Sequence, residues 1–333
     1  MFNVIWRLSS GFVLLSILLM VNSSYGNGVV LVSKGDNEIF TNASASSKGE
    51  PPRVFFEGKH YTLKKAKIGM KVKTGDVVKT ENKGMVRLGF STGDSINVGP
   101  ASAMVLDLGQ KTVEKKSSMG ITPVLNLIYG KFRAIISKKS PMKNIEIKTR
   151  VGTAGVRGTD FYIGYNPSVG SMVTTVFRGA VEVAKEVTEK VADSTAPKVI
   201  KETVKPGHTL VADSKTEKMA MNQSTKSEIK EIHEISDVAL TKEEFKKLPP
   251  ESKKLVIQTE KACQKAVFDD IKSTNPQLAE YIEKKKIRST RLMNALSLNK
   301  VMKTAPGELK NEKLSEEDMK KLINDDVYEE YGP

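Results

Sequence analysis

Residues 85–100 read Met85-Val86-Arg87-Leu88-Gly89-Phe90-Ser91-Thr92-Gly93-Asp94-Ser95-Ile96-Asn97-Val98-Gly99-Pro100. Val86, Leu88 and Phe90 alternate with Arg87 and Gly89, and side chains two apart on a strand share a face. Ser91-Thr92-Gly93-Asp94 has turn composition, after which Ile96 and Val98 resume the alternation. The stretch predicts two short strands joined by a tight turn, with one apolar face and one polar face.

The same grammar extends in both directions from about Gly28 to Asp213. Met104, Leu106 and Leu108 alternate beyond Gly99-Pro100, and Leu125 to Tyr129 is followed by a Gly130-Lys131 turn and then by Phe132 to Ile136. Ile145, Ile147 and Thr149 follow, then Phe161, Ile163 and Tyr165 up to the turn at 166–170. Val173, Thr175 and Phe177 next run to Arg178-Gly179 and a partner strand at Val181 and Val183. No helical pattern of about 10–15 residues interrupts the series, which argues against parallel βαβ units. A mainly β domain is expected, either an antiparallel sandwich or solenoid-like coils. Thr41 to Pro52 reads as a loop inserted in this framework. Lys185 to Lys205 reads as an extended hairpin or exposed excursion ahead of Pro206-Gly207.

Beyond about Ala220 the composition shifts to Lys, Glu, Leu, Ala and Met, with almost no glycine before Gly307. Thr241 with Glu244 and Ser315 with Asp318 have the spacing of helix caps. Leu255, Ala262, Ala266 and Ile271 suggest one apolar stripe after Pro249-Pro250, and Leu292, Ala295 and Leu296 a second, with Asn275-Pro276 as a break. These amphipathic helices are expected to form a small bundle or to dock on the β domain. The boundaries expected are a signal peptide at 1–26, a β domain at 27–215 and an α-helical region at 216–333 ending in a frayed acidic tail.

The signal peptide rests on the run Leu8 to Val21, short for a membrane span and suited to an export signal, with small residues Ser24 and Gly26 before Asn27. It implies a periplasmic or secreted protein, touching the membrane only through that segment if uncleaved. Lys and Arg total 53 against 39 acidic residues, a net charge of +14, which favours anionic surroundings. Cys263 is the only cysteine, so no intramolecular disulfide forms, and it reads as a small apolar helix residue.

The order of turns resembles the FecR domain family. Thr74-Gly75-Asp76-Val77-Val78-Lys79-Thr80, the 85–100 stretch with Gly93, Gly99 and Pro100, and Gly130-Lys131-Phe132 are similar to successive family elements. Val156-Arg157-Gly158-Thr159-Asp160-Phe161 resembles its best-known motif. Gly179-Ala180-Val181-Glu182-Val183 and Lys205-Pro206-Gly207 complete the order, over roughly 28–213. The resemblance implies an extracytoplasmic β domain, best known as the sensor half of regulators that signal to a sigma factor. Those regulators place a cytoplasmic segment before a membrane helix, whereas seven residues precede the apolar run here, so direct sigma-factor control is not expected.

The motif residues Gly75, Asp76, Gly93, Gly99, Pro100, Gly130, Arg157, Gly158, Thr159, Gly179 and Gly207 are expected to be structural, with Arg157 pairing a carboxylate. Gly152, Gly155 and Gly158 form neither nucleotide-loop pattern. His60, His208 and His233 lie far apart, and no Gly-x-Ser-x-Gly elbow occurs. No catalytic residue, metal or cofactor is assigned. The expectation is an exported, non-catalytic binding or scaffold module for an envelope protein or anionic polymer, with nucleic acid excluded as a partner. The alternative is a signal-sensing component working through a separate membrane partner.

Overall fold

The alternating runs become strands, except that the two expected on either side of a Gly130-Lys131 turn form one continuous strand, Val124–Ile135, which bends at Gly130 instead of turning back. The computed structural model describes residues 27–42, 53–108, 123–140, 144–191, 194–236 and 240–304. The export signal, nearly all of the 41–52 loop, the cap at Ser315 and the acidic tail lie outside the described residues. In chain order the strands are β1 (Gly28–Lys34), β2 (Asn37–Asn42), β3 (Arg53–Phe56), β4 (Lys59–Lys65), β5 (Lys71–Val72), β6 (Val77–Thr80), β7 (Met85–Gly89), β8 (Ser95–Val98) and β9 (Ser102–Asp107). They continue as β10 (Val124–Ile135), β11 (Ile145–Lys148), β12 (Thr153–Val156), β13 (Asp160–Asn166), β14 (Ser171–Arg178), β15 (Val181–Val191), β16 (Ser194–Val204), β17 (His208–Asp213) and β18 (Ala220–Gln223).

These strands form one hydrogen-bonded sheet folded into two layers. The first layer runs β5-β1-β7-β8-β10-β13-β14-β17-β18. The second runs β3-β4-β2-β6-β9-β10-β11-β12-β15-β16. Pairing is antiparallel throughout except between β10 and β11. The chain leaves β10 in the first layer and re-enters in the second, so no hairpin joins that pair. Within the 185–205 segment, residues 185–191 and 194–204 lie in the paired strands β15 and β16.

Strand β10 belongs to both layers and changes from one to the other at Gly130. Its φ of 100° lies in a region that side-chain-bearing residues avoid, and a Cβ there would strike Ser102. The close approach is held by hydrogen bonds from Lys131 N to Ser102 Oγ at 2.8 Å and from Gly99 N to Lys131 O at 2.8 Å.

The core lies between the layers. Val86, Leu88, Phe90, Ile96 and Val98 enter it from the β7–β8 hairpin, as the alternation predicts, and meet Met104, Leu106, Ile145 and Ile147 from the second layer. Phe132 and Phe161 pack edge to face, with ring centroids 5.8 Å apart. Burying each such side chain contributes about 1.5–3 kcal/mol. On β14 the core residues are Met172 and Val176, with Thr174 also buried, while the set Val173, Thr175 and Phe177 faces the other way. Both sides of β14 carry apolar residues because both are covered, so alternation there does not reveal which side is the core.

The covering is helical: α1 (Lys226–Ser236), α2 (Lys242–Lys246), α3 (Pro250–Thr274), α4 (Pro276–Lys284) and α5 (Thr290–Thr304). Thr241 and Glu244 form the expected capping box of α2. Asn275 ends α3 and caps α4, accepting a hydrogen bond from Leu278 N at 3.2 Å. The buried stripe of α3 differs from the one read in the sequence. It comprises Val256, Thr259, Glu260, Cys263, Val267, Asp270 and Ile271, with Ala262 and Ala266 only half-buried. An apolar-stripe reading misses it because buried polar side chains complete it.

The helices dock on the outer face of the first layer. At one end Val29, Leu31 and Val32 of β1 pack with Leu240, Phe245 and Val256. At the other, Ile135 packs with Val267, Ile271, Ile282 and Met293. Among the described residues no helix is long and apolar enough to cross a membrane.

Candidate functional site

The residues singled out in the sequence do not converge on one site. Gly99, Pro100 and Gly130 meet at the layer change of β10, where Thr80 Oγ1 also donates to Gly99 O at 2.6 Å. Gly158, Thr159 and Gly179 meet elsewhere: a Cβ on Gly179 would lie 2.5 Å from Thr159 Cγ2, and Ile136 N donates to Thr159 O at 2.8 Å. Gly75 and Asp76 turn the chain into β6, with Asp76 Oδ2 accepting from Lys73 N at 2.9 Å and burial raising its pKa. Gly207 lies before β17, and its N donates to Val176 O at 2.9 Å. Gly93 sits at the tip of the β7–β8 hairpin, against α3. Arg157 is exposed, and no carboxylate among the described residues pairs with it.

Three other arginines make the buried pairs. Arg87, Arg133 and Arg178 sit on β7, β10 and β14 and point outward, away from the core. Arg133 holds Asp160 in a two-point contact, Nε to Oδ1 at 2.8 Å and Nη2 to Oδ2 at 2.9 Å, with both residues only 1% exposed. Its Nη1 donates to His233 Nδ1 of α1 at 3.0 Å, and its guanidinium carbon lies 4.4 Å from the Phe177 ring centroid. Arg87 Nη2 donates to Glu260 Oε1 of α3 at 3.1 Å, and Thr290 Oγ1 of α5 donates to the same oxygen at 3.2 Å. Arg178 faces Asp270 of α3 at 3.3 Å. Burial raises the pKa of Asp270 even though Arg178 and the Lys138 N–H oppose the shift.

Asp94, from the turn beside Gly93, ties the hairpin down from the same side. It accepts hydrogen bonds from Ser137 N at 2.8 Å, Thr92 Oγ1 at 2.6 Å and Ser140 Oγ, while burial pushes its carboxyl upward. Its carbonyl accepts from Cys263 Sγ at 3.4 Å, so the lone cysteine is a buried packing residue of α3 with a raised pKa. Sequence reading quoted Asp160 and Arg178 only as parts of strand and turn motifs and passed over Arg133, Glu260 and Asp270. Arginine is scarce beside lysine in this chain, but its presence on a strand does not reveal whether it faces water or a helix.

Beside the helical cover there is an opening on this face. Between α1 and the β13–β14 turn lies a groove of about 680 Å³. Its floor includes Lys131, Tyr162, Gly164, Val173 and Thr175, one wall is Glu228, Glu231 and Ile232 of α1, and the other is the turn at 166–169. Thr175, Thr209 and Ser224 form a hydroxyl chain with spacings of 2.9 and 2.8 Å at one side. Burial and the nearby Glu231 raise the pKa of Tyr162, so its phenol stays protonated and can donate a hydrogen bond. Among the described residues, no group of three His, Cys, Asp or Glu side chains is placed to hold a metal. His60 and His208 lie on β4 and β17, apart from His233 on α1.

No curated protein matches this chain. Two crystal structures from Parabacteroides distasonis ATCC 8503, described as a "putative anti-sigma factor", are similar to it at 14% and 12% identity, with TM-scores of 0.32 and 0.33. Each match covers 44% of this chain and 59% of the other, so the chain spans less than two thirds of those relatives. Residues 76–182 match the family model described as FecR protein, so the segment from the start of β6 into β15 carries the FecR domain that the turn motifs suggested, within a sheet that extends beyond it on both sides.

Proposed function

We propose that this chain is an exported, non-catalytic binding module of the cell envelope and that the groove between α1 and the β13–β14 turn is its binding surface. The contrast between the groove and the rest of the outer face carries the reading. Arg133 holds Asp160 and Arg87 holds Glu260 by buried hydrogen bonds, while Arg178 faces Asp270 as a buried ion pair without a hydrogen bond. In the groove, the polar ends of Lys131, Tyr162 and Glu231 make no hydrogen bond among the described residues, and Tyr162 feels only the nearby Glu231 charge. A concave site with uncommitted polar groups is a binding surface. The cluster of Arg133, Asp160 and His233 includes a base but offers a substrate no access, which favours binding over catalysis.

Export is supported by the apolar run at 8–21 and the small residues before Asn27, and the net charge of +14 suits an anionic envelope protein or polymer. The test is recovery of bound material from an envelope fraction at low and moderate salt. The intact chain is compared with Val173→Trp, which places an indole on the groove floor. The expected result is a specific protein or wall component held by the intact chain and lost from the variant. Recovery of nothing specific, or equal recovery by both, overturns the proposal. Identification of a membrane regulator as the captured protein would turn the module toward signal sensing.

A further inference from the structure

Helix α1 is held on the sheet by few side chains, and one of them is a histidine. Of its described side chains only Ile229, Ile232 and His233 are buried, while Ser227, Glu228, Lys230, Glu231 and Glu234 are exposed. His233 is the polar member of that three-residue anchor. Its ring centroid lies 5.5 Å from that of Phe177, and its Nδ1 is 3.0 Å from Arg133 Nη1.

That contact fixes the state of the ring. A guanidinium only donates and stays charged, so Nδ1 must accept and the docked imidazole is neutral, with its proton on Nε2. A second proton would have to sit on Nδ1, which would set two like-charged donors against each other at 3.0 Å in a buried site. Asp160, the buried carboxylate of this cluster, already has both oxygens on Arg133. Phe177 of β14 brings an uncharged ring, and Tyr162 of β13, paired in register with Arg133, keeps its phenol protonated. The charges of α1 itself near the ring, Lys230, Glu231 and Glu234, all lie on its exposed side. Two cations against one buried carboxylate leave a charge uncompensated, which disfavours the docked arrangement.

We propose that His233 is an acid-sensitive latch: when its ring takes up a proton, α1 is released from the sheet. Docked α1 holds the ring without that proton, whereas the released helix lets the ring take one from water, so docking is present at higher pH and is lost as pH falls. Histidine is the side chain that ordinarily changes charge between about pH 5 and 8. The direction is opposite to that of Asp94 and Asp270, whose burial favours their protonated forms, so the two responses can be told apart. Glu228, Glu231 and Ile232 form one wall of the groove, and release of α1 takes that wall away. The latch stands on the Arg133 contact alone, whatever the groove binds.

The test is amide-exchange protection in the full chain, corrected for intrinsic exchange and read in α1 relative to β13 between about pH 8 and pH 5. Protection of α1 is expected to fall about tenfold or more toward the acid end, while that of β13 does not follow it. His233→Asn offers Arg133 a neutral amide oxygen in place of Nδ1 and does not titrate, so its α1 protection should be independent of pH. Glu231→Gln combined with Glu234→Gln should leave the wild-type response in place. Constant α1 protection in the wild type, equal loss in α1 and β13, a response that survives in His233→Asn, or one abolished by the two glutamines overturns the proposal. Should His233→Asn leave α1 unprotected at every pH, nitrogen NMR of the wild-type imidazole decides. A doubly protonated His233 ring in a chain whose α1 is still protected overturns the latch, and its appearance in step with the loss of α1 protection supports it.

Discussion

The two faces of the first layer are built from the same strands and held by different chemistry. On β7, Val86 and Leu88 enter the core while Arg87 points outward to Glu260; on β10, Phe132 and Ala134 point in while Arg133 points outward to Asp160 and His233. The inner face is stabilised by removal of apolar surface from water, which tolerates small shifts and needs no partner of matched charge. The outer face is a buried polar layer, where each charge must find a counter-charge and hydrogen bonds because the desolvation cost is otherwise uncompensated. The difference teaches that the helices do more than shield an apolar surface. At their ends they do so, around Phe245 and around Ile271, but at the centre they supply the acidic partners of two arginines.

Substitutions on adjacent residues of β10 are the strongest way to break this contrast. Phe132→Ala is expected to cost about 3–5 kcal/mol through cavity formation. Arg133→Met is expected to cost a similar amount, about 3–5 kcal/mol, because Asp160 is stranded. The two losses differ in how they can be repaired. Adding Asp160→Leu to Arg133→Met should return stability to about the wild-type value, as removal of a whole buried pair often does. Urea unfolding of the three variants measures this, and a double variant no better than Arg133→Met would remove the claim that the ion pair is the source of the loss.

The junction between hairpin and helix comes next in size. Gly93 has φ of 89°, and a Cβ there would lie 2.5 Å from Ala266 Cβ and 2.7 Å from the Ala262 carbonyl. Gly93→Ala should cost about 1–3 kcal/mol through overpacking and backbone strain. The loss should appear as faster amide exchange in α3 than in β13, since the intrusion is into the helical layer. Uniform acceleration across both would show that the two layers do not open separately.

A smaller effect is expected at the capping box. Thr241→Ala removes the hydroxyl that accepts from Glu244 N at 3.3 Å, and should cost about 1 kcal/mol, read as loosened exchange confined to α2 and its neighbours. Burial pushes the Glu244 carboxyl upward, but hydrogen bonds from Lys34 and Thr241 outweigh it and hold its pKa below the ordinary value.

The mildest test changes only pH. Burial raises the pKa of Asp94 and of Asp270, so the folded protein favours their protonated forms. Their contribution to stability is present at low pH and is lost as pH rises through the raised folded-state values. Wild type should therefore gain stability relative to Asp94→Asn as pH falls from neutral toward the carboxylate range. The cost of Phe132→Ala should stay flat over the same range, because that site does not titrate. Parallel pH profiles for Asp94→Asn and wild type would contradict the assignment.

The strand pattern of the core was legible in the sequence because it is local. Alternation along 86–90 and 96–98 is set by strand geometry, and the turns between are marked by glycine, asparagine and proline. The cap at Thr241 and the break at Asn275-Pro276 were legible for the same reason. The side of β14 that faces the core was not, since helices cover its other face. The arginine layer was not legible either. An arginine opposite an apolar residue on a strand looks the same whether it faces water or a helix, and Arg157, in the more conspicuous motif, is the one that stays at the surface.

The sequence by itself determined the strands, their turns, the capped helices and the resemblance over the β region, because each depends on neighbours a few residues apart. Only the tertiary structure decided which polar groups are buried together. Arg87 meets Glu260 across 173 residues of chain, and the Lys138 amide meets Asp270 across 132. The groove likewise joins α1 to a strand turn about 60 residues earlier. Such pairings depend on how complete elements pack, and no local pattern of residues encodes the partner.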